Sequence, residues 1–94
     1  MSRSTTVSPQ YASAVATLRL FAQAREAAGT GRDSLSGTTV ADVIDAAVRK
    51  YGASFENLLP SCRVWLNGEA VPLDTPVADS DEVAVLPPVS GGSR

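Results

Sequence analysis

Polar and apolar positions alternate with a period of two over Ala14–Phe21, where Ala16, Leu18 and Leu20 share one face and Thr17 and Arg19 take the other. That is the pattern of a half-buried strand, and its parity turns Phe21 toward solvent or a partner. The period then changes. Ala22–Ala28 is a run of good helix formers followed by Gly29 where a helix C′ residue belongs, which predicts a short helix. Thr30–Gly37 is polar apart from Leu35 and reads as a short strand returning beside the first.

The clearest element follows. Val40, Val43, Ile44, Ala47, Val48 and Tyr51 fall on one continuous helical stripe, and such a stripe is core packing. Thr39 caps the helix, with Asp42 three residues later in a capping-box position, and Gly52 ends it. Ala53–Ser61 is expected to be a connector with Phe55, Leu58 and Leu59 tucked under the core. Cys62–Leu66 and Glu69–Val71 flank Asn67-Gly68. Asn-Gly between β-prone runs signals a hairpin, because a type I′ turn needs φ > 0 at both positions. Val64 and Leu66 are expected inward with Cys62 beside them, and Trp65 outward with Arg63. Trp65 is either a half-exposed packing residue or part of a docking patch. Pro72–Asp81 is a loop expected to be anchored by Leu73 and Val77. Glu82–Leu86 is the last strand, with Val83 and Val85 inward and Leu86 outward.

One main helix covers only one face of such a sheet, so the pattern predicts an α+β two-layer roll with its other face open to a partner. Length adds that this is one domain: 94 residues bury about 60–68% of their unfolded surface, enough for one modest core. Residues 1–13, rich in Ser, Thr, Pro and Gln, are expected to be a disordered leader, residues 14–88 the domain, and residues 89–94 a flexible tail.

Composition removes several kinds of chemistry. There is no histidine and one cysteine, Cys62. That excludes an internal disulfide, argues against a zinc site, and takes away Ser-His and Cys-His catalysis. With no signal-peptide pattern or transmembrane-length run, the expected location is the cytoplasm. The net charge of −2, with Lys and Arg scattered along the chain, argues against nucleic acid or a membrane surface as the partner.

The C-terminal segment is the remaining candidate for function. The last strand runs into Pro87-Pro88, then Val89-Ser90-Gly91-Gly92-Ser93-Arg94. Two prolines end the sheet ladder and hold the following chain extended. Two glycines let another surface approach closely. Alone, the segment fits either a solvated chain end or a slim tip made for insertion.

Together with that ending, Leu20-Phe21-Ala22-Gln23-Ala24-Arg25-Glu26-Ala27-Ala28-Gly29, Thr38-Thr39-Val40-Ala41-Asp42, Leu66-Asn67-Gly68-Glu69-Ala70-Val71 and Asp79-Ser80-Asp81-Glu82-Val83 give a chain that resembles the MoaD/ThiS sulfur carriers, and among them MoaD, the small subunit of molybdopterin synthase. The resemblance covers about residues 14 to 92. It implies a ubiquitin-like β-grasp fold, a mixed sheet packed on one main helix. It implies that an E1-like adenylyltransferase, using ATP, activates the carboxylate of Gly92, with Gly91 beside it, for conversion to a thiocarboxylate. The large molybdopterin synthase subunit would take the sulfur. It also implies a partner-binding surface of Phe21, Ala70, Leu86, Pro87, Pro88 and Val89, no bound cofactor or metal, and no catalysis by the chain itself.

Two departures qualify the resemblance. Ser80 stands where the family often has glycine, which implies local strain if φ is positive there. Ser93-Arg94 follows Gly92, so the Gly92 carbonyl is an amide, and a peptidase removing two residues is implied. The alternatives are a carrier for another pathway (thiazole, cysteine or a secondary metabolite) and a β-grasp interaction module that is never activated.

Overall fold

The computed structural model describes residues 14–88. The leader (1–13), the expected flexible tail (89–94) and with it Val89, Gly91 and Gly92 lie outside the described residues. Five strands and three helices follow in order: β1 (Ala14–Leu20), α1 (Ala22–Ala28), β2 (Arg32–Gly37), α2 (Val40–Tyr51), α3 (Ala53–Leu58), a 3₁₀ turn (Leu59–Ser61), β3 (Arg63–Leu66), β4 (Glu69–Ala70) and β5 (Glu82–Leu86). The sheet order is β2-β1-β5-β3-β4. β5 lies parallel to β1 and antiparallel to β3, and the β1–β2 and β3–β4 pairs are antiparallel. The sheet is therefore mixed and the fold is the ubiquitin-like β-grasp roll.

The core forms where the two periodicities meet. Ala16, Leu18 and Leu20 of β1 and Val83 and Val85 of β5 face Val40, Val43, Ile44 and Ala47 of α2, and all are buried. α2 begins at the predicted capping box. Thr39 Oγ1 accepts from the Asp42 amide at 3.2 Å while Asp42 Oδ2 accepts from the Thr39 amide at 3.2 Å. Gly37, at the end of β2, lies so close to that first turn that a Cβ would sit 2.8 Å from the Val43 nitrogen. Only glycine fits there without a shift of the backbone.

Three expectations need correction. Ala53–Ser61 is a short helix and a 3₁₀ turn where a plain connector was expected. Phe55 of α3 is fully buried, its ring edge-on to Tyr51 at 5.4 Å between centroids. Leu73 does not anchor its loop; its side chain is 49% exposed. The backbone anchors that loop instead: the Val40 amide donates to Thr75 O at 2.9 Å and the Ala41 amide to Leu73 O at 2.8 Å. These bonds satisfy donors that the first turn of α2 leaves unpaired. Val77 packs against the core as expected. Finally, Phe21, Cys62 and Val71 lie just outside the strands they were expected to end or open. The Asn67-Gly68 turn has φ of 51° and 88°, the two positive values of a type I′ hairpin.

Candidate partner-docking face

The face of the sheet opposite α2 is open, and strand register fixes what it displays. Cross-strand partners project to the same side. One outward row therefore reads Arg32, Arg19, Ala84, Trp65, Ala70, from the pairs Arg19↔Arg32, Arg19↔Ala84, Trp65↔Ala84 and Trp65↔Ala70. The next row reads Phe21, Leu86, Arg63. Arg63 pairs with Leu86, and Phe21 follows Leu20, the partner of Val85.

Phe21, Ala70 and Leu86 thus share this face, as strand parity and the resemblance led us to expect. Phe21 is 39% exposed, Ala70 is exposed and Leu86 is half-buried. The register adds two residues. Trp65, 36% exposed, lies on this face between Ala70 and β5. Ala84, half-buried, fills the centre. It was missed because its parity carries meaning only once the neighbours of β5 are known.

Phe21 is held in place by both its neighbours. Arg19, two residues back on the same side, lays its guanidinium 5.5 Å from the ring centroid, a cation–π contact worth about 0.5–1 kcal/mol at an exposed site. Glu82 Oε2 pairs with Arg19 Nη1 at 2.9 Å and fixes that guanidinium. On the other side the chain turns sharply into α1: Phe21 is extended at φ −128°, and Ala22 takes φ +50°. A left-handed alanine costs roughly 1 kcal/mol, and this strain sits where the chain leaves β1 and presents its exposed aromatic.

The two prolines divide their work. Pro87 continues the inward parity of Val83 and Val85 and is buried, whereas Pro88 is exposed. Of the two prolines expected as contact residues, Pro87 is therefore anchored in the domain and only Pro88 is exposed. The segment leaving the domain departs from the middle of the sheet, beside the patch.

Titratable groups with displaced pKa values lie off this face. Asp33 points to the α2 side, accepting from Lys50 Nζ at 2.7 Å and Tyr51 Oη at 2.6 Å. Those bonds, Lys50's first, hold its carboxyl below the usual range, while burial and the Asp33 carboxylate push the Tyr51 phenol up. Burial pushes the Cys62 thiol up, and its Sγ donates to Leu58 O at 3.2 Å. That is a packed side chain rather than a poised nucleophile. Among the described residues no group of three or more His, Cys, Asp or Glu is placed to hold a metal ion, and no helix is long and apolar enough to cross a membrane.

Comparison with known proteins fits this geometry. A family model described as the ThiS family matches residues 18–92, ending at the second glycine of the tail. Small archaeal modifier protein 1 of Haloferax volcanii is 41% identical over 85 residues, covering 79% of this chain and 97% of that one. The solution structure of small archaeal modifier protein 1 from Methanosarcina acetivorans superposes with a TM-score of 0.78 at 35% identity, covering 85% of this chain and 98% of that one. A putative molybdopterin converting factor subunit 1 from Pyrococcus furiosus shares the fold, with a TM-score of 0.68 at 23% identity over 81% of this chain and 99% of that one.

Proposed function

The chain belongs to the ThiS family of sulfur carriers, and from that premise we propose that it carries sulfur as a thiocarboxylate on Gly92. The observation that carries this reading is the point at which the chain leaves the sheet: the last described residues follow a central strand beside an exposed apolar patch, and the family match runs on to Gly92. A protein docked on that patch receives the tail in the same encounter. The patch supplies binding energy, and the Pro87-Pro88 root limits the entropy lost when the tail is threaded.

The chemistry follows from the weakness of a carboxylate as an electrophile. In the proposed sequence an E1-like adenylyltransferase lets a Gly92 carboxylate oxygen attack the α-phosphorus of ATP, and pyrophosphate leaves. Hydrosulfide then attacks the acyl carbon of the adenylate, the C–O bond breaks, and AMP departs to leave the thiocarboxylate. The carrier supplies reach, slimness and a free carboxyl, and the partner supplies the catalytic groups. Because Gly92 is bonded to Ser93 in the sequence, a peptidase first removes Ser93-Arg94. These steps belong in the cytoplasm, where Cys62 stays reduced.

Two destinations for the sulfur fit. Molybdopterin, through a large synthase subunit, is supported by the motifs that resemble MoaD. A different pathway (thiazole, cysteine or a secondary metabolite) stands beside it, because the relatives matching at 35% and 41% are named small archaeal modifier proteins and not molybdopterin subunits.

The experiment is pyrophosphate exchange and intact mass with an E1-like enzyme, ATP and a sulfur donor. A chain ending at Gly92 should exchange and gain about 16 Da as oxygen is replaced by sulfur, and the uncut chain should be inert. A shortened chain that binds its enzyme yet is never adenylated contradicts the carrier reading, and an uncut chain of full activity contradicts the clipping step. Adding the large synthase subunit and a molybdopterin precursor then separates the destinations by whether the sulfur is lost from the carrier.

A further inference from the structure

Three of the six Lys and Arg among the described residues share one face of the sheet. Arg19, Arg32 and Arg63 all project from the open face, and of the ten Asp and Glu only Glu82 projects from a strand on the same side. A chain of net charge −2 thus displays a positive face. Arg19 and Arg32 are direct cross-strand partners, an arrangement that destabilises a sheet when the charges are alike. Glu82 offsets Arg19. Among the described residues neither Arg32 nor Arg63 forms an ion pair. Ala84 and Leu86 of β5, and Phe21 just past the end of β1, lie between Arg32 on β2 and Arg63 on β3, and Trp65 stands two residues along from Arg63 on the same strand.

We propose that this face is built for a protein surface with an apolar centre edged by carboxylates, which pair with Arg32 and Arg63 on docking. The inference rests on the reading above that the face receives a partner, and it adds that partner's chemistry. Guanidinium suits the task. It is weakly hydrated, planar and able to grip a carboxylate through two hydrogen bonds, so the repulsion stored between Arg19 and Arg32 becomes attraction once acidic groups arrive. Charges at the rim of an interface act chiefly on the rate of association and on its dependence on salt. The other occupants fit less well. A second copy offering the same face would set arginines against arginines, and nucleic acid or an anionic bilayer would place phosphates over Phe21, Leu86 and Trp65.

The test measures association of the full chain with the E1-like enzyme by surface plasmon resonance, without ATP, at low and physiological salt. The native chain should associate more slowly as salt rises. Arg32→Glu and Arg63→Glu should each slow association about tenfold at low salt, and the double variant should lose the salt dependence. Arg49→Glu, which makes the same charge change on α2, should alter the rate by less than about twofold, since a charge away from the contact acts through screened solvent. Melting temperatures should hold or rise, because these side chains are exposed and Arg32→Glu removes a like-charge pair. An association rate indifferent to salt and to both reversals overturns the proposal, as does an Arg49→Glu effect of equal size. Arg32- and Arg63-dependent binding to a DNA duplex or to phosphatidylserine vesicles, with protein association unaffected, also overturns it. If a chain ending at Gly92 docks in this charge-dependent way but is never adenylated, the carrier reading fails and this inference stands; adenylation of that shortened chain with charge-independent docking does the reverse.

Discussion

The two faces of this sheet are made from the same strands and differ in what they ask of a side chain. On the α2 side, β1 and β5 contribute Ala16, Leu18, Leu20, Val83 and Val85, none more than 2% exposed. On the other side the intervening residues are Val15, Thr17 and Arg19 of β1 and Glu82, Ala84 and Leu86 of β5, with Phe21 just past β1 and Arg63 and Trp65 from β3. Along β1 and β5 the first face is uniformly apolar and closed by a helix. The other is an apolar strip with arginines at its margins and a strained backbone at Ala22. The contrast teaches that a period of two lets one strand meet two selection pressures independently: alternate residues answer to packing and their neighbours to a partner. Substitutions on the first face should therefore cost stability, and those on the second should cost association.

The largest expected effect is on the closed side. Phe55→Ala removes a fully buried ring and should lower unfolding free energy by about 3–5 kcal/mol, a large part of the 5–15 kcal/mol of a typical domain. Urea unfolding measures it. A loss below about 1 kcal/mol would mean that α3 is peripheral, and the division between faces would blur.

A smaller effect depends on pH. Asp33 is ionised more readily in the fold than its ordinary value of 3.8 because Lys50 and Tyr51 donate to it. A carboxyl with a lowered folded pKa contributes stability that is fully present above the unfolded value and is lost as pH falls through the folded one. Thermal melts should therefore show the native chain losing stability below about pH 4 more steeply than Asp33→Asn, with the variant less stable at neutral pH. Parallel acid limbs would contradict the contact between β2 and the end of α2.

The smallest effect tests local strain. Ser80 has φ of +72°, so the condition for local strain at that position is met, and it is exposed. Ser80→Gly relieves roughly 1 kcal/mol of left-handed strain against the greater freedom glycine gains when unfolded. A net gain of about 0.5 kcal/mol, read as a slightly higher melting temperature, is expected; a loss would mean that the Ser80 side chain stabilises the turn.

How far the sequence could be read tracks the length and regularity of each signal. The stripe of α2 runs for three turns and gave its bounds, Val40–Tyr51, and its buried face directly. β1, β5 and the Asn67-Gly68 hairpin were legible for the same reason, a clean alternation or a turn with a backbone requirement. α3 was not, because six residues hold too few turns for a periodic signal, although Tyr51, Phe55, Leu58 and Leu59 at helical spacings hinted at it. Leu73 misled because its loop is anchored through carbonyls, which no side-chain pattern reports. On the open face, parity identified Phe21 and Leu86. Ala84, the place of Trp65 and the meeting of Arg19 with Arg32 depend on which strands are neighbours. That knowledge comes from topology, which puts the last strand beside the first.

The central claim is that one face folds the chain and the other is reserved for a partner, and Phe21→Asp tests it most directly. The residue is 39% exposed beside Arg19, so the acidic variant should melt within a few degrees of the native chain, as surface substitutions usually do. Its affinity for the E1-like enzyme should fall by about tenfold or more, since an aromatic anchor is lost at the centre of the contact. Measured together on one preparation, unchanged melting with weakened binding is the predicted result. A matched fall in both would show that Phe21 belongs to the core, and unchanged binding would show that the face is not where the partner docks.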